Sequence, residues 1–251
     1  MEDSLTLKKT LLKWYLDNGV EFNLAKIDRK HYQQNVLINK NEEKNNNSNT
    51  LNLDQSLIPI QSYKSLKTLK EAVLNFSGCA LKKTAKNSVF SDGNPNSKVM
   101  LLGEAPGEEE DKEGKPFVGE TGLLLDKMLN AIGQNRKNTY LSNIIFWRPP
   151  GNRKPTEEEI AICLPFVQKH IELVRPKILI LAGAIAAKAI YGIETGITQV
   201  RGNWKSITLD SGLQLKTIAI FHPSFLLKQP ARKKEAWEDL KKIKIEIDRN
   251  T

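Results

Sequence analysis

The sequence has little of what defines several large protein classes. The chain of 251 residues contains only two cysteines, Cys79 and Cys163. This number excludes a scaffold stapled by several disulfide bonds and fits a reducing, cytoplasmic environment. No apolar run approaches the roughly 20 residues that a membrane-spanning helix needs. The first residues lack a basic segment followed by an apolar one, which argues against a secretory signal.

An excess of basic residues is the main feature of the composition. The chain has 38 lysines and arginines against 29 aspartates and glutamates, a formal net charge of +9. Basic surfaces attract polyanions, because each neutralised phosphate releases a counterion. Nucleic acid is therefore a candidate partner, although lysine-rich proteins without such a partner are also common.

Residues 1–75 differ from the rest of the chain. Apolar residues at helical spacing predict an amphipathic helix over residues 4–17. Residues 39–49, NKNEEKNNNSN, are polar and low in complexity, so they predict a flexible linker. A short helix is predicted over residues 65–75. We therefore divide the chain into an N-terminal helical and low-complexity extension, residues 1–75, and a domain that spans residues 76–251.

From Cys79 onward, short apolar segments alternate with segments of helical spacing. Strands are predicted over residues 98–102, 139–145, 177–181 and 217–221, and helices over residues 122–132, 156–174, 184–191 and 231–248. Thr156 is the expected N-cap of one helix, with Glu159 completing a capping box. Buried strands that alternate with helices predict an α/β fold with a mainly parallel sheet covered on both faces. Because ligands bind at the carboxyl ends of such strands, the loops after the strands are the candidate functional segments.

The first candidate loop is LGEAPGEEED, residues 102–111, which leads into GKPFVG, residues 114–119. Its glycines allow the backbone to come close to a ligand. Its acids cannot cradle a phosphate, and the Gly-x-x-x-x-Gly-Lys-Ser/Thr pattern of a P-loop is absent. Taken alone, the segment is also typical of an acidic surface turn.

The second candidate loop begins at Asn143. A side-chain amide at a strand end can donate and accept hydrogen bonds at once, which suits reading one edge of a base. The alternative is an asparagine that holds the turn together. The following stretch WRPPGNR, residues 147–153, is rigid, aromatic and basic, so it is either structural or in contact with a phosphate backbone.

The third candidate loop is FHPSFLLK, residues 221–228. His222 directly follows a predicted strand, so we expect it to face the pocket. Pro223 and Ser224 are expected to fix a tight turn that presents the three apolar residues after them. An apolar wedge flanked by cations is what base-flipping proteins push into a duplex. The alternative is a buried turn that packs against the last helix.

The order and spacing of these motifs resemble the family 4 uracil-DNA glycosylases. The resemblance covers about residues 78–244 and leaves residues 1–75 outside. It implies a three-layer α/β/α fold with a short, central four-stranded parallel sheet. It also implies an enzyme of base excision repair that flips uracil out of DNA and hydrolyses its N-glycosidic bond. With no reason to invoke a Schiff-base lysine, we expect a monofunctional, monomeric enzyme that acts on uracil-containing DNA and leaves an abasic site.

The resemblance implies roles for individual residues of the pocket. Phe117 matches the aromatic residue that stacks on the flipped uracil. Asn143 matches the amide that accepts from N3–H of uracil and donates to O4, and His222 matches the residue near O2. Gly103 and Ala105 belong to the pocket positions of the first motif.

Two carboxylates are candidates for handling the attacking water. Ala105 stands where related glycosylase families often have an aspartate that orients water. Its presence leaves Glu104 and Glu110 as the candidate acids, and the sequence does not choose between them. Contacts with DNA are expected from Arg148, Ser224, Leu226, Leu227, Lys228 and Arg232.

One departure from the family concerns a metal cluster. Members of the family usually hold a 4Fe–4S cluster on four cysteines. Here Cys79 and Cys163 match two of those cysteines, whereas Phe76 and Trp147 occupy the other two positions. A cubane cluster needs four good ligands, usually thiolates. We therefore expect that the cluster has been lost and that no cofactor is bound.

Three other functions remain open at this point. One is a relative that excises another deaminated base, such as hypoxanthine or xanthine. Another is a non-catalytic DNA-binding module on the same fold, against which the intact Glu104, Phe117, Asn143 and His222 argue. The third is a variant that cross-links to its abasic product, but the stretch at residues 111–116 is too short for the basic, histidine-bearing insertion that this chemistry needs.

Overall fold

The computed structural model of the protein describes residues 60–249. Within this range the helices are α1 (Leu66–Asn75), α2 (Glu108–Glu113), α3 (Gly119–Asn130), α4 (Glu157–Val174), α5 (Ala184–Tyr191), α6 (Ile197–Val200), α7 (Pro223–Lys228) and α8 (Lys233–Arg249). The strands are β1 (Asp92–Gly93), β2 (Val99–Gly103), β3 (Tyr140–Asn143), β4 (Ile178–Ala182), β5 (Trp204–Thr208) and β6 (Gln214–Ile220). The helix predicted over residues 4–17 and the linker predicted over residues 39–49 lie outside the described residues. None of the described helices is long and apolar enough to cross a membrane.

All six strands form one mixed sheet in the order β1-β3-β2-β4-β6-β5. Neighbours among β3, β2, β4 and β6 are parallel, whereas β1 and β5 pair antiparallel with β3 and β6. The expected sheet of four strands is corrected to one of six. The two strands that the sequence analysis did not predict, β1 and β5, lack the pattern of a buried strand. Strand β1 has only two residues, and every residue of β5 is at least partly exposed.

Helices pack against both faces of the sheet. On one face, Val99 of β2 belongs to a buried cluster that includes Leu125 of α3 and Leu240 of α8. Tyr140 of β3 lies opposite Met100, so its side chain projects from the other face. There its hydroxyl lies 2.8 Å from Nε2 of His170 on α4, and α5 contacts β2 and β4. The predicted α/β fold is confirmed.

The start of α4 confirms the predicted capping box. The Thr156 hydroxyl accepts a hydrogen bond from the Glu159 N–H at 3.2 Å, and the Glu159 carboxylate accepts one from the Thr156 N–H at 2.8 Å. Arg153 adds two hydrogen bonds to the same carboxylate, at 2.8 and 2.6 Å. An N-cap of this type stabilises a helix by about 1 kcal/mol. The cap fixes where the loop after β3 ends.

The helix predicted over residues 65–75 is present as α1. The hydroxyl of Ser65 caps it by accepting from the Thr68 N–H at 3.2 Å. Leu69 and Val73 are fully buried, and α1 contacts α4 within the compact unit that begins at Ile60. The division of the chain into an extension, residues 1–75, and a domain, residues 76–251, stays a prediction.

Candidate active site

The carboxyl ends of the parallel strands bring the candidate pocket residues together. Gly103 and Asn143 are paired at the ends of β2 and β3. Gly183 and His222 follow the neighbouring strands β4 and β6, and the Gly183 N–H donates to the Ile220 carbonyl at 2.9 Å. The loops after four adjacent strands thus meet at one edge of the sheet, as the parallel arrangement predicted.

Gly103 lies at the centre of this group. A Cβ atom there would overlap both Oδ1 of Asn143 and the ring of Phe117. The Phe117 ring in turn stacks against the His222 ring, with centroids 5.8 Å apart and planes at 29°. An aromatic ring and an amide therefore lie against a position where a Cβ atom does not fit, and an imidazole stacks on that ring.

Asn143 lies almost fully buried at the carboxyl end of β3. Only 3% of the residue is exposed, and its amide forms no hydrogen bond with any residue that the structure describes. An unpaired amide beside an aromatic face is the arrangement expected of a site that reads a planar, polar ligand.

The surroundings of His222 fix its charge and its tautomer. The residue is the N-cap of α7; its Nδ1 accepts from the Ser224 N–H at 3.2 Å and lies 2.7 Å from the Ser224 hydroxyl. Burial lowers the pKa of His222 to about 4, so the ring is neutral at pH 7. Because Nδ1 acts as an acceptor, we assign the ring proton to Nε2. The neutral imidazole can therefore donate one hydrogen bond from Nε2.

The backbone at Phe117 is held in an unusual conformation. Its φ of +54° is in the left-handed region, which costs a non-glycine residue roughly 1–2 kcal/mol. The Val118 N–H donates to Oε1 of Glu110 at 3.1 Å, and the Phe117 carbonyl accepts from Arg136. No sequence motif marks Arg136, which lies next to Lys137 in the loop between α3 and β3.

The two candidate acids lie in different environments. Glu110 accepts backbone N–H groups with both oxygens, from Val118 and, at 3.0 Å, from Gly107. Glu104 is half-buried, and its carboxylate has no hydrogen-bond partner among the described residues. Burial raises the pKa of Glu104, while the Lys154 ammonium opposes the rise. Ala105 follows it and is also half-buried.

The segment after His222 is the short helix α7, so the expected tight turn at Pro223 and Ser224 is wrong. Proline at the first helical position and His222 as the N-cap favour a helix there. The helix separates the two expected wedge leucines. Leu226 is 1% exposed and belongs to the hydrophobic core, whereas Leu227 is 38% exposed.

The basic side chains expected to contact DNA differ in their exposure and in their partners within the protein. Lys228 and Arg232 are exposed, and Arg232 pairs with Glu235 at 2.6 Å. Arg148 is half-buried and donates from Nε to Oδ1 of Asn152 at 2.7 Å within its own loop. Lys228 and Arg232 are therefore the more accessible of the three.

Gly183 is a site residue that the sequence analysis missed. Its φ is +98°, and a Cβ atom there would lie 3.1 Å from Cβ of His222. Glycine at this position lets the loop after β4 pack directly against the histidine. The sequence feature that could have indicated it is a glycine shortly after the strand predicted over residues 177–181.

The four positions that correspond to cluster ligands lie together in the core. The thiols of Cys79 and Cys163 hydrogen-bond to each other, and both residues are fully buried. The Phe76 ring stacks against Trp147 at 6.3 Å and packs edge-on against Phe166 at 4.9 Å. Among the described residues there is no group of three or more side chains suited to a metal ion. Two thiols beside packed aromatic rings do not fit the ligand requirement of a 4Fe–4S cubane.

Comparisons with known proteins agree with the geometry of the pocket. The family model of the uracil DNA glycosylase superfamily matches residues 90–241. The type-4 uracil-DNA glycosylase of Archaeoglobus fulgidus is 37% identical over 183 residues, which cover 71% of this chain and 92% of that protein. Its counterparts in Sulfurisphaera tokodaii and Thermotoga maritima are 38% and 37% identical, over 72% and 71% of this chain and 84% and 93% of their own lengths. The chain therefore belongs to the uracil DNA glycosylase superfamily and, within it, to the type-4 uracil-DNA glycosylases.

Proposed function

We propose that the protein is a monofunctional uracil-DNA glycosylase of base excision repair, which acts as a monomer in the cytoplasm. It flips uracil out of DNA and hydrolyses the bond between N1 of the base and C1′ of the sugar. The products are free uracil and an abasic site. The observation that carries the proposal is the largely buried residue Asn143, whose amide lies with the Phe117 ring against Gly103, beside His222.

Asn143 selects the base in this proposal. Its amide oxygen accepts from N3–H of uracil, and its amide nitrogen donates to O4. Cytosine presents an acceptor at N3 and a donor at N4, so both hydrogen bonds would be lost. Buried polar atoms would then remain unpaired on both molecules, which is an effective way to reject a near-isostere. Phe117 supplies the face on which either ring would stack.

His222 stabilises the leaving base. When the C1′–N1 bond breaks, its electron pair stays on uracil, and negative charge develops on O2. A donor at Nε2 binds this anion more strongly than it binds the neutral base, so the hydrogen bond lowers the barrier. The lowered pKa of His222 keeps the ring neutral, and the Ser224 N–H at Nδ1 leaves the proton on Nε2.

Glu104 is the proposed partner of the attacking water. Both oxygens of Glu110 are engaged by backbone N–H groups, whereas the carboxylate of Glu104 is free of described partners. Water attacks C1′ of the oxocarbenium-like sugar and gives up a proton to the carboxylate. The carboxylate also offsets the positive charge of the sugar.

Contacts with the duplex are assigned to exposed and half-buried residues of the loop after β3 and of the segment that begins at His222. Leu227, at 38% exposure, is the proposed wedge that fills the space left by the flipped base. Arg148, Lys228 and Arg232 are the proposed phosphate contacts. Ser224 is a further proposed DNA contact, although its hydroxyl lies 2.7 Å from Nδ1 of His222. Such contacts position the protein on DNA without reading its sequence.

The proposed activity is tested with a duplex oligonucleotide that carries one uracil, followed by alkaline cleavage of abasic sites. We expect cleavage at the uracil position. In the His222→Ala variant we expect single-turnover excision to slow by roughly 100- to 1000-fold. Affinity for the duplex at fixed salt should change little, since it comes mainly from phosphate contacts. An excision rate near that of the wild type would make His222 a packing residue and remove its catalytic role.

We also propose that the protein holds no iron–sulfur cluster. The packing of Phe76 and Trp147 beside the Cys79–Cys163 pair supports this proposal. Protein purified without oxygen should be colourless, without the broad absorbance that iron–sulfur proteins show near 400 nm. Stoichiometric iron together with acid-labile sulfide would contradict it.

A further inference from the structure

Arg136 makes an unusual set of contacts beside the pocket. Its Nη2 donates to the Phe117 carbonyl, and its Nη1 lies 3.4 Å from the Pro116 carbonyl. Two carboxylates hold the guanidinium in place: Asp92 accepts from Nη1 at 2.6 Å, and Asp126 accepts from Nε at 2.9 Å. The two aspartates thus hold the planar guanidinium, which donates to the successive carbonyls of Pro116 and Phe117.

The peptide unit between Phe117 and Val118 is held at both ends. Arg136 binds its carbonyl oxygen, and Oε1 of Glu110 accepts from its N–H at 3.1 Å. The helix that follows makes room for this carbonyl, because a Cβ atom at Gly122 would overlap it. A backbone held in the left-handed region, as Phe117 is, persists only where its surroundings determine it.

We propose that Arg136 is a positioning residue, which acts on catalysis through the backbone of Phe117. The guanidinium fixes the Phe117 carbonyl, and this fixes the plane and depth of the ring between Gly103 and His222. The proposal rests on the proposed function, in which that ring stacks on the flipped uracil. Asp92 and Asp126 contribute to this positioning, because their carboxylates hold the guanidinium in place beside the loop that carries Phe117.

The test is the single-turnover rate of uracil excision by Arg136→Met in the full-length protein. We expect a roughly 10- to 100-fold loss, since a small misplacement of a substrate-binding group has effects of this size. Arg136→Lys, which keeps the positive charge but loses the planar fork, should lie between this variant and the wild type. Binding is measured with a duplex that carries 2′-fluoro-2′-deoxyuridine and with the same duplex without it. Affinity for the first should fall and affinity for the second should stay unchanged, which separates positioning from a phosphate contact.

A double-mutant cycle with Phe117→Ala shows whether Arg136 acts through the ring. If it does, Arg136→Met should have almost no further effect once the ring is removed. Lys188→Met is the matched control, because Lys188 also pairs with two carboxylates, Glu157 at 2.6 Å and Glu194 at 3.0 Å. That variant loses the same charge and two ion pairs, and its excision rate should equal that of the wild type.

Each outcome decides one point. An Arg136→Met rate equal to that of the wild type, or multiplicative effects in the cycle, would overturn the positioning role. If Arg136→Met does not fold, Asp126→Asn replaces it in the same cycle with the same criterion. A wild-type protein that releases no uracil from the duplex would instead contradict the proposed function, whatever the variants do.

Discussion

At the scale of single residues, Glu104 and Glu110 show how surroundings assign different tasks to similar side chains. Glu110 accepts two backbone N–H groups and thereby ties the start of α2 to the loop that carries Phe117. Glu104 is half-buried without such partners, and burial raises its pKa. A carboxylate whose pKa is raised toward neutrality is suited to accept a proton from water.

The first prediction concerns the pH dependence of excision. Because Glu104 acts in its ionised form, the single-turnover rate should fall as the pH drops through its raised pKa. Protonation of His222 should not contribute until the pH approaches about 4. Glu104→Gln should excise uracil roughly 100- to 10,000-fold more slowly than the wild type, and its rate should lack this acid limb. If Glu104→Gln keeps both the wild-type rate and its decline at low pH, a group other than Glu104 activates the attacking water.

The residues of the pocket were predictable to different degrees. Phe117, Asn143 and His222 stand within recognisable motifs. The structure brings Phe117 and Asn143 together at Gly103 and stacks His222 on Phe117. Arg136 was not predictable in this way, because its importance comes from a backbone carbonyl that it meets only in the folded chain. The same applies to the choice between the two acids, since hydrogen bonds to backbone N–H groups decide it.

At the scale of elements, helix α7 places neighbouring residues of one short motif in two different environments. The helix directs Leu226 into the core and leaves Leu227 partly exposed. Adjacent residues on a helix lie about 100° apart, so one can pack inward while its neighbour faces solvent. Of the two leucines expected to form the wedge, Leu227 is therefore the one that can reach the duplex. Leu226 packs in the core and supports the helix.

The second prediction compares these two neighbouring leucines. Leu227→Ala should slow uracil excision from duplex DNA while leaving the free energy of unfolding almost unchanged. Leu226→Ala is the matched control, and it should lower the free energy of unfolding by about 2–5 kcal/mol, because it opens a cavity in the core. The measurements are single-turnover excision and urea unfolding of each variant. Equal excision by Leu227→Ala and the wild type would exclude the wedge role.

The elements of the sheet were predictable where burial imposes a pattern. The strands β2, β3, β4 and β6 were predicted because each is a short apolar segment followed by a turn or helix. The edge strands β1 and β5 were not, since one is very short and the other is partly exposed along its whole length. The missed strand β1 has a consequence for the site, because its Asp92 helps to hold Arg136.

At the scale of the whole molecule, all the pocket residues that the structure describes come after position 100. The compact unit begins at Ile60, which is 3% exposed in a short 3₁₀ turn, Ile60–Ser62, that contacts α4. Every contact described for Gly103, Phe117, Asn143 and His222 lies within this unit. The excision of a base should therefore require no residue before Ile60.

The third prediction is that a chain beginning at Ile60 excises uracil from short oligonucleotides at a rate close to that of the full chain. A matched truncation that removes α1 as well should lower stability, because Leu69 and Val73 are fully buried in its contact with α4. Circular dichroism on both truncated proteins separates folding from activity. A chain from Ile60 that folds normally but has lost most of its turnover would place part of the site in residues 1–59.

The central claim is that this pocket recognises and releases uracil. The most direct measurement is the free base released in a single turnover from duplexes that differ only in carrying uracil, cytosine or hypoxanthine, by the wild type and by Asn143→Asp. We predict that the wild type releases uracil and leaves an abasic site, with no release of cytosine. Asn143→Asp should lose most of this activity, because a carboxylate oxygen replaces the donor that O4 needs. Faster release of hypoxanthine than of uracil, or uracil release unaffected by Asn143→Asp, would contradict the account.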